Sequence, residues 1–389
     1  MDRIYLDHNA TTPLHPDVLE SMLPYLRDQF GNPSSIHWYG QKARRALDTA
    51  RQQVARLINA EPEEIVFLSG GTESTNLAIR GVLDAAGLAA PRRRPAIVTS
   101  AVEHQAVLNC CRDRERHGAL VTYLDVDSHG RVDLERAADA ITSDTTLVTV
   151  MLANNDVGTL QPVRELTALA QASAALTHTD AVQALGKIPV SVGQLGVDLL
   201  SLSGHKIYGP KGIGALYVRK STRIHALLHG GHQERRRRAG TENVPAIVGL
   251  GRACDLASTG LGVEADRQAA LRDRLERTLR ERLPGVTVNG HPALRLPNTL
   301  HVSFDGVQGE ALLINLDLMG VAVSTGAACS SGSEDPSHVL TAMGLDERQA
   351  RGSIRLSLGR DTTGAQIDRT VELVTNAVTA LRQAEHHDG

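Results

Sequence analysis

The sequence is short of several things, and each shortage removes a class of protein. Four cysteines in 389 residues are too few for a disulfide framework. A reduced, cytoplasmic location is therefore expected. No apolar run reaches the length of a membrane-spanning helix. The opening stretch, "MDRIYLDHNATTP", lacks the basic and apolar regions of a secretory signal. Aromatics make up 3% of the chain and the formal net charge is -3. Those values argue against base-stacking platforms, nucleic acid and anionic membranes as the main partners. No Walker A pattern occurs and no G-x-G-x-x-G follows a strand-like run, which excludes a typical nucleotide site. There is no G-x-S-x-G elbow for a Ser-His-Asp hydrolase. His225, His229 and His232 have metal-like spacing. Glycines break the helix that would align them, so no metal site is expected.

What remains is ordinary for a soluble globular protein: 41% hydrophobic and 22% charged residues. The length allows two or three domains, or one large fold with an appendage. Short β-rich runs alternate with helical patterns. "EIVFLS" (64–69), "AIVTS" (96–100), "LVTYLD" (120–125), "TLVTVMLA" (146–153), "ALTHTD" (175–180), "VDLLSLS" (197–203) and "IGALYVR" (213–219) read as strands. The alternation predicts βαβ units and a largely parallel sheet. After about residue 260 the texture changes to a long charged helix, a few strands and a final helix, which predicts a smaller α+β domain.

The predicted strands end in polar stretches: "SGGTEST", "SAVEHQ", "ANNDVG", "HTDAVQ" and "SGHKIYGP". Ligands of open α/β sheets collect at such ends, so the repetition suggests a lined pocket. Gly71 and Thr72 stand where a helix begins after a glycine turn, which suits an anion or an ordinary helix cap. Asp180 is either a cap or a buried partner for a protonated heterocyclic nitrogen. Lys206 directly follows an apolar strand, where desolvation would make a nucleophilic amine fit for Schiff-base chemistry; the plainer reading is a snorkelling surface lysine. Lys211, in a Pro/Gly turn, is read as a turn residue. Cys329 lies in the small-residue loop "STGAACSSGS", which suits a thiol that must be reached. Arg355 sits inside the alternating "GSIRLSLGR", where a buried guanidinium meets either a carboxylate ligand or a structural ion pair.

Nearly end to end, the chain resembles the cysteine desulfurases of the NifS/IscS type, in the class V aminotransferase group of fold-type I pyridoxal-phosphate enzymes. The resemblance is carried by "YLDHNATTP", "GNPSSIH", "SGGTESTNLAI", "VEHQAVL", "NNDVGTLQP", "HTDAVQALGK", "SGHKIYGPKGIGALYV", "RRAGTENV", "STGAACSSGSEDPSHVLTAMG" and "IRLSLG". It implies an α/β fold: a large domain with a mostly parallel seven-stranded sheet flanked by helices, plus a smaller α+β C-terminal domain. The large, pyridoxal-phosphate-binding domain would span residues 15–258. Residues 1–14 and 259–389 would form the small domain carrying the cysteine loop.

The resemblance also implies roles. Lys206 would hold pyridoxal 5'-phosphate covalently and later move the substrate proton. Asp180 would pair with the pyridine nitrogen and Gln183 with the ring hydroxyl. His104 would stack on the ring and assist acid–base steps; otherwise it is a helix-cap histidine. Gly71, Thr72, Ser203 and His205 would surround the phosphate, joined by Thr241 from a partner subunit, which implies a homodimer. Asn155 and Arg355 would hold the carboxylate of L-cysteine, and Cys329 would attack its sulfur. The products would be L-alanine and a persulfide passed to an acceptor or scaffold protein. Iron–sulfur assembly, tRNA thiolation, thio-cofactor synthesis and DNA phosphorothioation are the pathways such enzymes feed. A selenocysteine lyase, another class V enzyme or a non-catalytic scaffold are the alternatives. Three positions depart from the common pattern: His232 and Arg236 where glycine is usual, and Asp156 where glutamate is usual.

Overall fold

A computed structural model describes residues 3–90, 93–325 and 336–385. The chain opens on a two-residue strand, β1 (Ile4–Tyr5). The apolar runs then form β2 (Ile65–Leu68), β3 (Ala96–Ser100), β4 (Leu120–Leu124), β5 (Thr145–Thr149), β6 (Leu176–Asp180), β7 (Leu199–Ser203) and β8 (Gly214–Val218). These make one seven-stranded sheet in the order β2-β8-β7-β6-β5-β3-β4. Only β8 runs against its neighbours; the remaining pairs are parallel. Crossover helices cover a parallel sheet on both faces, so its strands are apolar throughout. β7, read as LLSLS, is buried at every residue.

One predicted strand is too long. "TLVTVMLA" leaves the ladder after Thr149. The backbone amide of Met151 donates instead to the buried carboxylate of Glu103, at 2.8 Å. The amides of Val150 and Leu152 reach the carbonyls of His178 and Asp180. The segment therefore runs on as irregular backbone and becomes a wall of the cavity described below.

The helix Gln105–Arg116 shows how local chemistry places a side chain. It follows β3 and is capped by His104, whose Nδ1 accepts from the amide of Ala106 at 3.1 Å. Val107, Leu108, Cys110 and Cys111 are buried on one side. Burial of a Val or Leu side chain stabilises by about 1.5–3 kcal/mol. Arg114 and Arg116 in the last turn suit the helix dipole, and Gly118, at φ 94°, turns the chain away.

Beyond residue 260 come β9 (Val286–Asn289), β10 (Thr299–Phe304), β11 (Val321–Ala322) and β12 (Ser353–Ser357). A three-stranded antiparallel sheet has the order β12-β10-β9. β11 pairs with β1 in parallel. Asp7 bridges to Ser357, and Ser324 to Arg355. The helices Leu261–Arg282 and Gly364–Glu385 pack against each other. Ile4 and Leu6 share an apolar cluster with Leu275, Leu300 and Ile354, separate from the cluster of Leu47, Phe67, Leu200 and Ile247 on the large sheet. The N-terminal segment is thus built into the C-terminal core. Among the described residues no helix is long and apolar enough to cross a membrane.

Candidate functional site

β2 points the same way as the parallel set, because both it and β7 run opposite to β8. The carboxyl ends of β2, β3, β5, β6 and β7 therefore open on one edge. A cavity of about 340 Å³ lies there. Gly71, Thr72, His104, Asn155, Asp180, Gln183, Ser203, His205, Lys206 and Arg355 all line it. Thr241 is exposed on the surface and is not among the lining residues of its own protomer. Cys329 lies outside the described residues. A larger cavity of about 500 Å³ also touches Lys206 but reaches neither Asp180, His104 nor Arg355. The chemistry gathers in the smaller one.

Asp180 ends β6, almost fully buried. One carboxylate oxygen, Oδ1, accepts from the amide of Val182 at 2.9 Å. Burial pushes its carboxyl up, while His104, the Val182 amide and Lys206 pull it down. Such a group favours a cationic N–H donor placed beside it. His104 is held low by burial first and by Lys206 among its neighbours, so its imidazole is neutral. Its Nδ1 accepts from the Ala106 amide, which leaves the ring proton on Nε2. His205 is pushed down to about 4 by burial and the charges of Lys206 and Lys211. It meets an anion as a neutral donor.

Lys206 follows β7 in a short 3₁₀ turn. Its Nζ donates to the carbonyls of Asn9 and Ala10, each at 2.6 Å. Arg355, on β12, donates through Nη2 to Asp7 at 2.8 Å and through Nη1 to Asn155 O at 3.0 Å and Asp156 at 3.3 Å. Its Nε is buried with no partner among the described residues. The helix Gly71–Ala89 begins beneath the cavity with no side-chain cap. A Cβ at Gly71 would come within 3.0 Å of Val182 Cγ2, so glycine keeps this floor open.

The model of the class-V aminotransferases matches residues 4–370. The chain is 51% identical to the cysteine desulfurase of Trichormus azollae, over 98% of this chain and 94% of that one. It is 48% identical to the cysteine desulfurase IscS of Dictyoglomus turgidum, over 97% and 95% of the two chains. The chain belongs to the class-V aminotransferases, among the cysteine desulfurases. A solved NifS-like protein superposes with a TM-score of 0.91 at 40% identity, covering 97% of this chain and 99% of that one. SspA, solved in complex with cysteine, gives 0.81 at 38% identity, covering 91% and 98%.

Enzymes of this group depend on pyridoxal phosphate, and the desulfurase cavity fits it. A buried acid at β6, an amine at β7 and an uncapped helix start at Gly71 match a pyridine nitrogen, an aldehyde and a phosphate. The departures have structural consequences. Arg236 stands at φ 65°, after Glu234 at 45° and Arg235 at 56°. This left-handed run is unfavourable for side chains. It is held because the buried Glu234 carboxylate accepts from Arg51 at 2.6 and 2.9 Å and from the Phe67 amide at 2.9 Å. Asp156 reaches Ser337 at 2.8 Å as well as Arg355.

Several lining or supporting residues escape a reading of strand ends. Asn9 and Ala10 arrive from the N-terminal segment. Met151 and Ala153 come from the irregular end of the over-long run. The polar stretch "DHNATTP" after β1 was the available signal for the first pair. Glu103 and Lys187, both buried, had no signal beyond their place beside His104 and four residues after Gln183.

Proposed function

We propose that this desulfurase takes sulfur from L-cysteine, releases L-alanine and holds the sulfur as a persulfide on Cys329. One observation carries the reading: every predicted cofactor and substrate residue of the protomer that lies among those described, apart from the cross-subunit Thr241, lines one cavity. Pyridoxal 5'-phosphate, when bound, would withdraw electrons from the α-carbon of the substrate.

The chain's own residues do the rest. Arg355 and Asn155 orient the substrate carboxylate. Gly71, Thr72, Ser203 and His205 take the phosphate, with Thr241 contributed by a partner subunit. Asp180 keeps a proton on the ring nitrogen, and Gln183 meets the ring hydroxyl. Lys206 carries the cofactor and takes the α-proton. His104, neutral with its proton on Nε2, would stack on the ring and assist the acid–base steps. The Cys329 thiolate forms a bond to the substrate sulfur as the Cβ–S bond breaks. The electron pair stays with Cβ, which takes up a proton, and Lys206 returns the α-proton, so that the product is alanine.

The functional unit is a homodimer. Supporting this, Phe30, Ile36, Trp38 and Tyr39 form an exposed apolar patch on one protomer, with Ile36 91% exposed. Phe30 stacks on Tyr39 at 5.3 Å. Exposed patches of this kind mark interaction sites. Residues 15–258 act as the cofactor domain, and 1–14 with 259–389 as the domain that carries Cys329. The enzyme works in the cytoplasm and passes sulfur to an acceptor protein, iron–sulfur assembly being the pathway the IscS relatives suggest. The test is Cys329→Ala with L-cysteine. Sulfide release should fall to background while the yellow absorbance of bound cofactor persists. Release at the parent rate would refute the mechanism.

A further inference from the structure

Lys187 is a buried lysine for which the mechanism above has no use. Among the described residues no carboxylate contacts its amine. Nζ lies 2.6 Å from Gln183 Oε1 and 3.1 Å from Asn9 Oδ1. Burial, reinforced by the charges of Lys206 and Arg355, holds it well below the usual lysine range. A neutral amine still carries two N–H donors, one for each amide oxygen.

Those contacts fix which way two amides face. Gln183 Oε1 is committed to Lys187, and Gln183 Nε2 donates one proton to Asn9 O at 2.8 Å. That leaves the second proton of Nε2, on a residue lining the cavity. Asn9 is held in the same manner. Its Oδ1 accepts from Lys187 and Asn298, and its Nδ2 donates to Asn155 O and Thr299 Oγ1. The carbonyl of Asn9 in turn receives Lys206. Removing the Lys187 amine leaves Gln183 Oε1 buried and unpaired. A side chain with free torsions relieves that by turning away.

We propose that Lys187 is a positioning residue that fixes the amide of Gln183 so that Nε2 presents its remaining proton to the ring hydroxyl of the cofactor. This rests on the reading of Gln183 given above. The test measures dissociation constants of the apoenzyme for pyridoxal phosphate and for its analogue lacking the ring hydroxyl. The readout is the preference for the hydroxylated form. Gln183→Ala should lower that preference about five- to tenfold. Lys187→Met should lower it by a similar factor, and the double variant should go no further. Lys187→Gln, which keeps an NH₂ donor on a shorter side chain, should restore part of it. Lys187→Leu serves if the methionine variant does not fold. Lys187→Met with the full preference, while Gln183→Ala loses it, overturns the inference alone. Gln183→Ala with the full preference overturns the reading of Gln183, and the inference with it. A purely structural lysine would change thermal stability and both dissociation constants together, leaving their ratio unmoved.

Discussion

The two walls of the cavity are built in different ways. The large-sheet wall is assembled from strand ends, each delivering its residue within a few positions of a buried strand. His104 follows β3, Asp180 ends β6 and Lys206 follows β7. The opposite wall is assembled from distant pieces. Asn9 comes from the N-terminal segment, Arg355 from β12, and Ser337, which braces Asp156, from another segment again. Local polar blocks build the first wall. The second depends on long-range pairing and buried ion pairs.

Three substitutions sharpen or break that contrast. The largest effect is expected on the strand-end wall. Lys206→Ala should abolish the visible absorbance of bound cofactor and lower turnover at least about 10³-fold, with little loss of folding. Absorbance and sulfide release check it. A yellow, active variant would remove Lys206 from the mechanism.

The next effect falls on the other wall and mixes function with stability. Arg355→Met leaves Asp7 and Asp156 facing each other without their shared cation. Breaking a buried pair in this way costs about 3–5 kcal/mol. Urea unfolding should show that loss, alongside a raised KM for cysteine. Equal stability would mean that the second wall does not depend on its ion pairs.

The smallest effect concerns Glu103, fully buried beside His104. Burial pushes its carboxyl up to about 8, with Asp180 adding to the push and the Ser100 and Met151 bonds opposing it. The folded value lies above the unfolded one. This group therefore costs nothing below about pH 4.5 and destabilises progressively as pH rises through 8. Glu103→Gln keeps an acceptor for Ser100 and Met151 and cannot ionise. Its stability should match the parent at pH 4.5 and exceed it by up to a few kcal/mol near pH 9. Thermal melting across that range checks the sign. A constant difference would mean that Glu103 does not titrate there.

The same contrast explains what could be read from the sequence. The seven strands of the large sheet were legible because buried parallel strands are apolar throughout and bounded by polar ends. Lys206 and Asp180 stood out because a charged residue at such an end is unusual. The end of β5 was not legible, since the apolar run continues while its hydrogen bonds pass to Glu103. Asn9 was quoted within a motif, yet its part as acceptor for Lys206 depends on a contact across 197 positions. Thr241 matched a motif but stays outside its own protomer's cavity. Lys187 gave no local sign, because its importance lies in which atom of Gln183 it occupies.

The pairing of Asn9 with Ser357 sets a schedule for the newborn chain. The two residues are 348 positions apart. At roughly 5–20 residues per second, a ribosome needs roughly 20 to 70 s to travel from one to the other. Until β12 emerges, Leu6 has no core to enter and the carbonyl that holds Lys206 has no fixed place. The core around Leu6 is therefore closed only once β12 is made, whereas the large sheet can gather while translation is still under way.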